Sequence, residues 1–185
     1  MLVVFFGTSC VGKTTIMRYL HRYYHWKMIS VYTTRPLRQQ EFEKHFVPLD
    51  YLLNGVQQGT FLPLNQCYGN YYGTPVSELQ EAEYDPHTFW CIDYPLEKSY
   101  LLNDYKYMGI SILAENYSQL IKQINMSGRL NRKKIILEEY KQFYTSTFNI
   151  EFPTVINYAN DLEKTCASII HFAEQYRSKL YDCII

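Results

Sequence analysis

The chain has 185 residues, 47% hydrophobic and 19% charged, which suits one globular domain that buries its core without disulfides or metal staples. Eighteen basic and eighteen acidic residues cancel, excluding a global field that would draw nucleic acid or a membrane surface, though not a local basic patch. Cysteines at 10, 67, 91, 166 and 183 show no CxxC pair or zinc spacing, and the opening apolar run "MLVVFF" is too short for a signal peptide or a span. The expectation is a cytoplasmic protein with reduced thiols, a monomer or homodimer, with no membrane or nucleic-acid partner.

In chain order, a strand over 2–6 runs into a helix over 13–24, and a second strand is predicted over 28–32. Residues 35–74 break the pattern. They hold short, antiparallel pieces, with a helix over 49–57 and a strand over 60–65. Helix 75–83, strand 88–93, helix 95–103, strand 108–113 and helix 116–125 follow. A basic segment at 126–134, "MSGRLNRKK", runs into a helix over 131–145, a strand over 153–157 and a last helix over 160–178. This alternation predicts an α/β fold, a parallel sheet with helices on both faces, whose ligands sit beyond the carboxyl ends of the strands. Most of the nineteen tyrosines are assigned to packing at the core margin, and His45 to packing within the 35–74 segment rather than to chemistry.

"GTSCVGKT", residues 7–14, satisfies G-x-x-x-x-G-K-[ST] without a mismatch, after a strand and before a helix. Gly7 permits the sharp exit from the strand, and Gly12 lets main chain approach a phosphate closely. The N–H groups of Thr8, Ser9, Cys10, Val11, Lys13 and Thr14 can then converge as an anion nest at a helix N-terminus, where the dipole also favours negative charge. Lys13 would reach the terminal phosphates, Thr14 would hold Mg²⁺, and Thr15 continues the binding turn. The ligand this implies is ATP or a similar triphosphate.

"TTRPLRQQE", residues 33–41, carries Arg35 and Arg38 across a proline, two guanidinium forks suited to a second phosphate. With "GTSCVGKTT" before it, "GNYYGT" at 69–74 and "VINYANDLEKT" at 155–165, the chain resembles the guanylate kinase family over nearly its whole length. The resemblance implies a P-loop NTPase-type core (1–34, 75–125 and 135–185), an inserted small α+β subdomain binding a nucleoside monophosphate (35–74), and a short lid (126–134). It implies transfer of the γ-phosphoryl of ATP to a nucleoside 5′-monophosphate with Mg²⁺. Arg35, Arg38 and Tyr72 would grip the acceptor's phosphate, and Lys44 stands where the family usually has tyrosine. Thr74 and Asp93 would face the acceptor base; Asp93 could instead serve the metal. Asn157, with Asn160, lies where relatives hold the ATP base. Arg129 or Arg132 would close from the lid.

The family's guanine-reading glutamate aligns with Pro63 in "FLPL", and the first aspartate of its LDID strand end aligns with Cys91 in "WCID". Base-directed hydrogen bonds discriminate by about 10⁴–10⁵, and a site that lacks them loses that margin. The acceptor is therefore expected not to be limited to GMP, and weak GMP turnover is expected. A modified nucleotide, a phosphosugar of the ribose bisphosphate type, and a non-catalytic peptide-binding module are the alternatives. Retention of Lys13 and both loop arginines speaks against the last.

Overall fold

Leu2–Phe6 are five apolar residues, and none is exposed. A strand apolar on both faces needs cover on both, as in the middle of a parallel sheet. The computed structural model describes residues 1–38, 41–128, 130–147, 152–158 and 160–182. Its strands are β1 (Leu2–Phe6), β2 (Lys27–Met28), β3 (Val31–Thr33), β4 (Lys44–Phe46), β5 (Asn65–Cys67), β6 (Asn70–Gly73), β7 (Trp90–Asp93), β8 (Tyr107–Ala114) and β9 (Thr154–Asn157). Its α-helices are α1 (Lys13–Tyr24), α2 (Leu49–Gln57), α3 (Val76–Tyr84), α4 (Tyr117–Met126), α5 (Lys133–Thr147) and α6 (Leu162–Asp182).

β1 is central in a five-stranded sheet of order β2-β7-β1-β8-β9, with β2 parallel to β7 and β8 parallel to β9. The expected α/β class and parallel sheet flanked by helices are observed. A second sheet of order β4-β3-β6-β5 is mixed: β3 pairs parallel with β4 and antiparallel with β6, and β5 pairs antiparallel with β6. The antiparallel pieces expected in 35–74 are thus present, with one parallel pair added.

The chain forms two compact units. One comprises Met1–Leu2 and Trp26–Tyr107, the other Val3–His25 and Met108–Ile185. In the second, α1 buries Ile16, Met17 and Leu20 along one stripe and packs against α6. In the first, α2 covers one face of the smaller sheet, where Tyr32, Tyr51 and Phe61 meet at 5.0–6.1 Å between ring centroids.

Three expected elements differ. The strand over 28–32 is two short strands in different sheets; between them Ser30 N–H donates to the Glu78 carboxylate at 2.6 Å and holds the crossing. Residues 60–65 form only an isolated bridge, Phe61 to Pro75, before β5 begins at Asn65. Pro63 has no N–H for a ladder, which is reason enough. The helix over 95–103 is a 3-10 helix, Leu96–Leu102, with its flanking bonds of i→i+3 type at Lys98 and Asn103.

Candidate functional site

The loop from Gly7 to Gly12 carries left-handed backbone at Gly7 (φ 148°), Cys10 (φ 69°) and Gly12 (φ 96°). Such alternation turns successive N–H groups to one side. At Gly12, a Cβ would also stand 2.3 Å from Asn157 Nδ2, so both conformation and space require glycine. Gly12 is the N-cap of α1 with no side-chain cap, leaving first-turn N–H groups to another partner. Lys13 is 7% exposed, and its Nζ donates to Gly7 O at 2.5 Å and Thr8 O at 2.8 Å. Thr8 Oγ1 is buried without a hydrogen-bond partner. Ser9, Cys10 and Thr14 are half-buried, Val11 is buried and Thr15 is exposed. The Cys10 thiol lies 3.5 Å from the Ser127 hydroxyl.

Asn157 ends β9, 4% exposed, and donates from Nδ2 to Val11 O at 2.8 Å. Its own carbonyl accepts from Gln119 Nε2 at 3.2 Å, and Gln119 Oε1 accepts from Glu115 N–H at 2.7 Å. The side chain expected near the ATP base braces the loop from below. Gln119, invisible as a functional residue in sequence, holds that brace through an amide relay from α4. Asn160 is exposed.

In the other unit, Arg35 is 8% exposed after β3. Its Nη2 donates to both Glu41 carboxylate oxygens at 2.8 Å, and Nη1 donates to Pro36 O at 2.8 Å. Glu41 also accepts from Arg38 N–H at 2.8 Å and lies 3.5 Å from Lys44 Nζ. Burial tends to raise the Glu41 carboxyl, but the Arg35 and Arg38 hydrogen bonds and the two cations hold it down at about 2. Burial tends to lower Arg35, and Glu41 with Tyr72 outweighs it, so the guanidinium is held charged. Arg35, Lys44 and Tyr72 therefore come together, with Arg38 joined through its backbone while its side chain is exposed. Glu41 is the residue that sequence reading passed over. Its signal was its place at the end of "TTRPLRQQE".

The register explains this grouping. Val31 and Thr33 face Lys44 and Phe46 on β4, Thr33 faces Tyr72 on β6, and Tyr72 faces Asn65 on β5. Cross-strand partners share a face, so Lys44, Tyr72 and Asn65 lie on one side. Tyr32 and Gly73, one position away, lie on the other against α2. Thr74 is 5% exposed just past β6, and Asp93 is exposed at the end of β7. Pro63 is exposed, whereas Cys91 is fully buried and its thiol is pushed up by that burial. Cys91 is thus a core residue. Arg132 ends the 3-10 turn Leu130–Arg132, half-buried. Arg129 lies outside the described residues.

Mg²⁺ usually takes one or two protein oxygens, with waters and phosphates completing an octahedron. The half-buried Thr14 in the first turn of α1 fits that need as an oxygen donor. Among the described residues, no three His, Cys, Asp or Glu side chains gather as a metal cluster, and no helix is long and apolar enough to cross a membrane.

A central apolar strand, a loop with three left-handed residues, and a buried lysine at an uncapped helix start define the P-loop class of phosphate-binding proteins. The guanylate kinase family model matches residues 1–176. The guanylate kinase of Neisseria gonorrhoeae is 28% identical over 180 residues, covering 94% of this chain and 86% of that protein. Those of Clostridium acetobutylicum and Symbiobacterium thermophilum are 35% and 39% identical, over 44% of this chain and only 40% and 41% of their own lengths. The crystal structure of guanylate kinase from Anaplasma phagocytophilum superposes with a TM-score of 0.72 at 16% identity, over 96% of this chain and 85% of that one, and so shares the fold. The chain belongs to the guanylate kinase family.

Proposed function

We propose that the protein transfers the γ-phosphoryl of ATP to the phosphate of a nucleoside 5′-monophosphate. The observation that carries this reading is the loop 7–14, with its left-handed residues, uncapped α1 start and buried Lys13. The main-chain N–H groups would bind the donor's phosphates, and the orphaned Thr8 hydroxyl is a further group ready for them. Lys13 would exchange its loop carbonyls for phosphate oxygens. Thr14 would hold Mg²⁺, which when bound neutralises charge between the donor's phosphates. Arg35, fixed by Glu41, would present its guanidinium to the acceptor's phosphate beside Tyr72 and Lys44, with Arg38 closing from the surface. Arg132 and Arg129 would bring positive charge from the lid segment. Positioning and charge supply the rate, with no covalent enzyme intermediate.

The relatives' names suggest GMP as the acceptor. Two side chains favour a base that is read differently: Pro63 offers no acceptor atom, and the Cys91 thiol is buried and held protonated. ADP release assayed with GMP, IMP, AMP, CMP, dTMP and a ribose phosphate tests both points. Turnover with at least one nucleoside monophosphate is expected, with GMP favoured over its rivals by well under the roughly 10⁴-fold margin of a site built to hydrogen-bond its substrate. A GMP preference of that full size would overturn the reading of the base site. No turnover with any acceptor, and no thermal shift with Mg-ATP, would leave a binding module instead.

A further inference from the structure

We infer that Ser127 is a positioning residue for the donor's phosphates: it accepts a hydrogen bond from the Cys10 thiol and so fixes how the loop N–H groups at Cys10 and Val11 are aimed. This rests on the preceding reading of the loop 7–14 as the ATP site. All the residues involved belong to the second compact unit, Val3–His25 with Met108–Ile185.

The starting point is a backbone outlier. Cys10 has φ 69°, a left-handed conformation that strains any residue with a Cβ and leaves glycine unstrained. Gly7 and Gly12 meet the same demand in the same loop without a side chain. A cysteine held in that conformation calls for something that its side chain does. Its Sγ lies 3.5 Å from Ser127 Oγ, a contact between residues 117 positions apart. The hydrogen count sets its direction. Ser127 has one hydroxyl hydrogen and donates it to Ile124 O at 2.9 Å, so its lone pairs are left for the thiol and the S–H donates.

Ser127 is the C-cap of α4, and the opposite end of that helix reaches the next residue of the loop. Gln119, in the first turn of α4, donates to Asn157 O at 3.2 Å, and Asn157 Nδ2 donates to Val11 O at 2.8 Å. One helix therefore holds two consecutive loop residues, Cys10 by its side chain and Val11 by its carbonyl. With the Cα–Cβ bond of Cys10 fixed at one point and the peptide after Val11 at another, the peptide planes between them lose their freedom. Their N–H groups are set before a phosphate arrives, and a site ordered in advance gives up less entropy on binding.

The test is calorimetric titration of Mg-ATP, with Tm measured alongside, for the full chain and for Ser127→Ala, Ser127→Thr, Cys10→Gly and the Cys10→Gly/Ser127→Ala double variant. Ser127→Ala is expected to weaken Mg-ATP about 3- to 10-fold, the size of one hydrogen bond lost. Ser127→Thr keeps the hydroxyl and should stay within about twofold of wild type. Cys10→Gly should weaken Mg-ATP by a similar factor without lowering Tm, because glycine adopts φ 69° unstrained. In the double variant Ser127→Ala should add less than about twofold, since the contact is already gone. Unchanged Mg-ATP affinity in either single variant would overturn the inference. So would a Ser127→Ala loss just as large in the Cys10→Gly background, or a Cys10→Gly affinity loss that tracks a fall in Tm. Wild-type chain that gives the expected pattern but releases no ADP with any acceptor would sink phosphoryl transfer and leave the Ser127 assignment standing.

Discussion

Arg35 and Glu41 show how one acidic residue turns a loop arginine into a positioned one. Their side chains are 10% and 7% exposed, so each charge depends on the other. Glu41→Gln keeps one acceptor oxygen and loses the charge; it should cost about 1–3 kcal/mol in urea unfolding and raise the acceptor's KM more than it lowers kcat. An unchanged KM would show that Arg35 needs no such orientation. The pair also predicts an acid response. Glu41 falls from 4.5 to about 2 on folding, so its contribution is complete above pH 4.5 and is lost as pH falls toward 2. Urea titrations should show the gap between wild type and Glu41→Gln closing across that window. Lys13 is a different case. From sequence it is expected to reach the terminal phosphates; in the structure it is buried over its own loop's carbonyls. Lys13→Ala is expected to lower turnover at least about 1,000-fold and to cost about 1 kcal/mol of stability, rather than none. Wild-type phosphoryl transfer in that variant would refute the loop's assignment.

At the scale of elements, the junction of β1, the loop and α1 was legible because its signals are local. The apolar run, the glycine spacing and the amphipathic stripe locate 2–6 and 13–24, and the structure has both at those bounds. The brace under the loop was not legible, since Asn157 and Val11 are brought together by a contact across most of the chain. Gly12→Ala should fail twice, through its φ of 96° and through the approach to Asn157 at 2.3 Å. A loss of about 1–3 kcal/mol, together with loss of the Mg-ATP thermal shift, is the expected outcome. Gly109 in β8 is closed in by the Phe152 ring, with a Cβ at 2.6 Å, and Phe152 stacks on Phe6 at 5.2 Å. Gly109→Ala therefore tests packing alone. It should lower Tm by overpacking worth about 1–3 kcal/mol while the ATP response survives. The break in the expected 28–32 strand was hidden for a related reason: residues of strand character occur throughout, and only the pairing partners show that β2 and β3 belong to different sheets.

For the whole molecule, ligand linkage gives the broadest check. A ligand at 100 times its dissociation constant stabilises by about 2.7 kcal/mol, so Mg-ATP should raise Tm by several degrees in wild type. Sequence by itself determined the α/β alternation, the phosphate loop with Lys13 and Thr14, and the family through "TTRPLRQQE" and "GNYYGT". Those features are carried by near neighbours along the chain, where turn chemistry and periodicity act directly. Tertiary structure alone decided that Glu41 clasps Arg35, that Asn157 supports the loop, that Cys91 is core, and that Asn65 lies on the face of Tyr72. Such facts depend on strand register and burial, which join residues distant in sequence, and no local pattern encodes which two will meet.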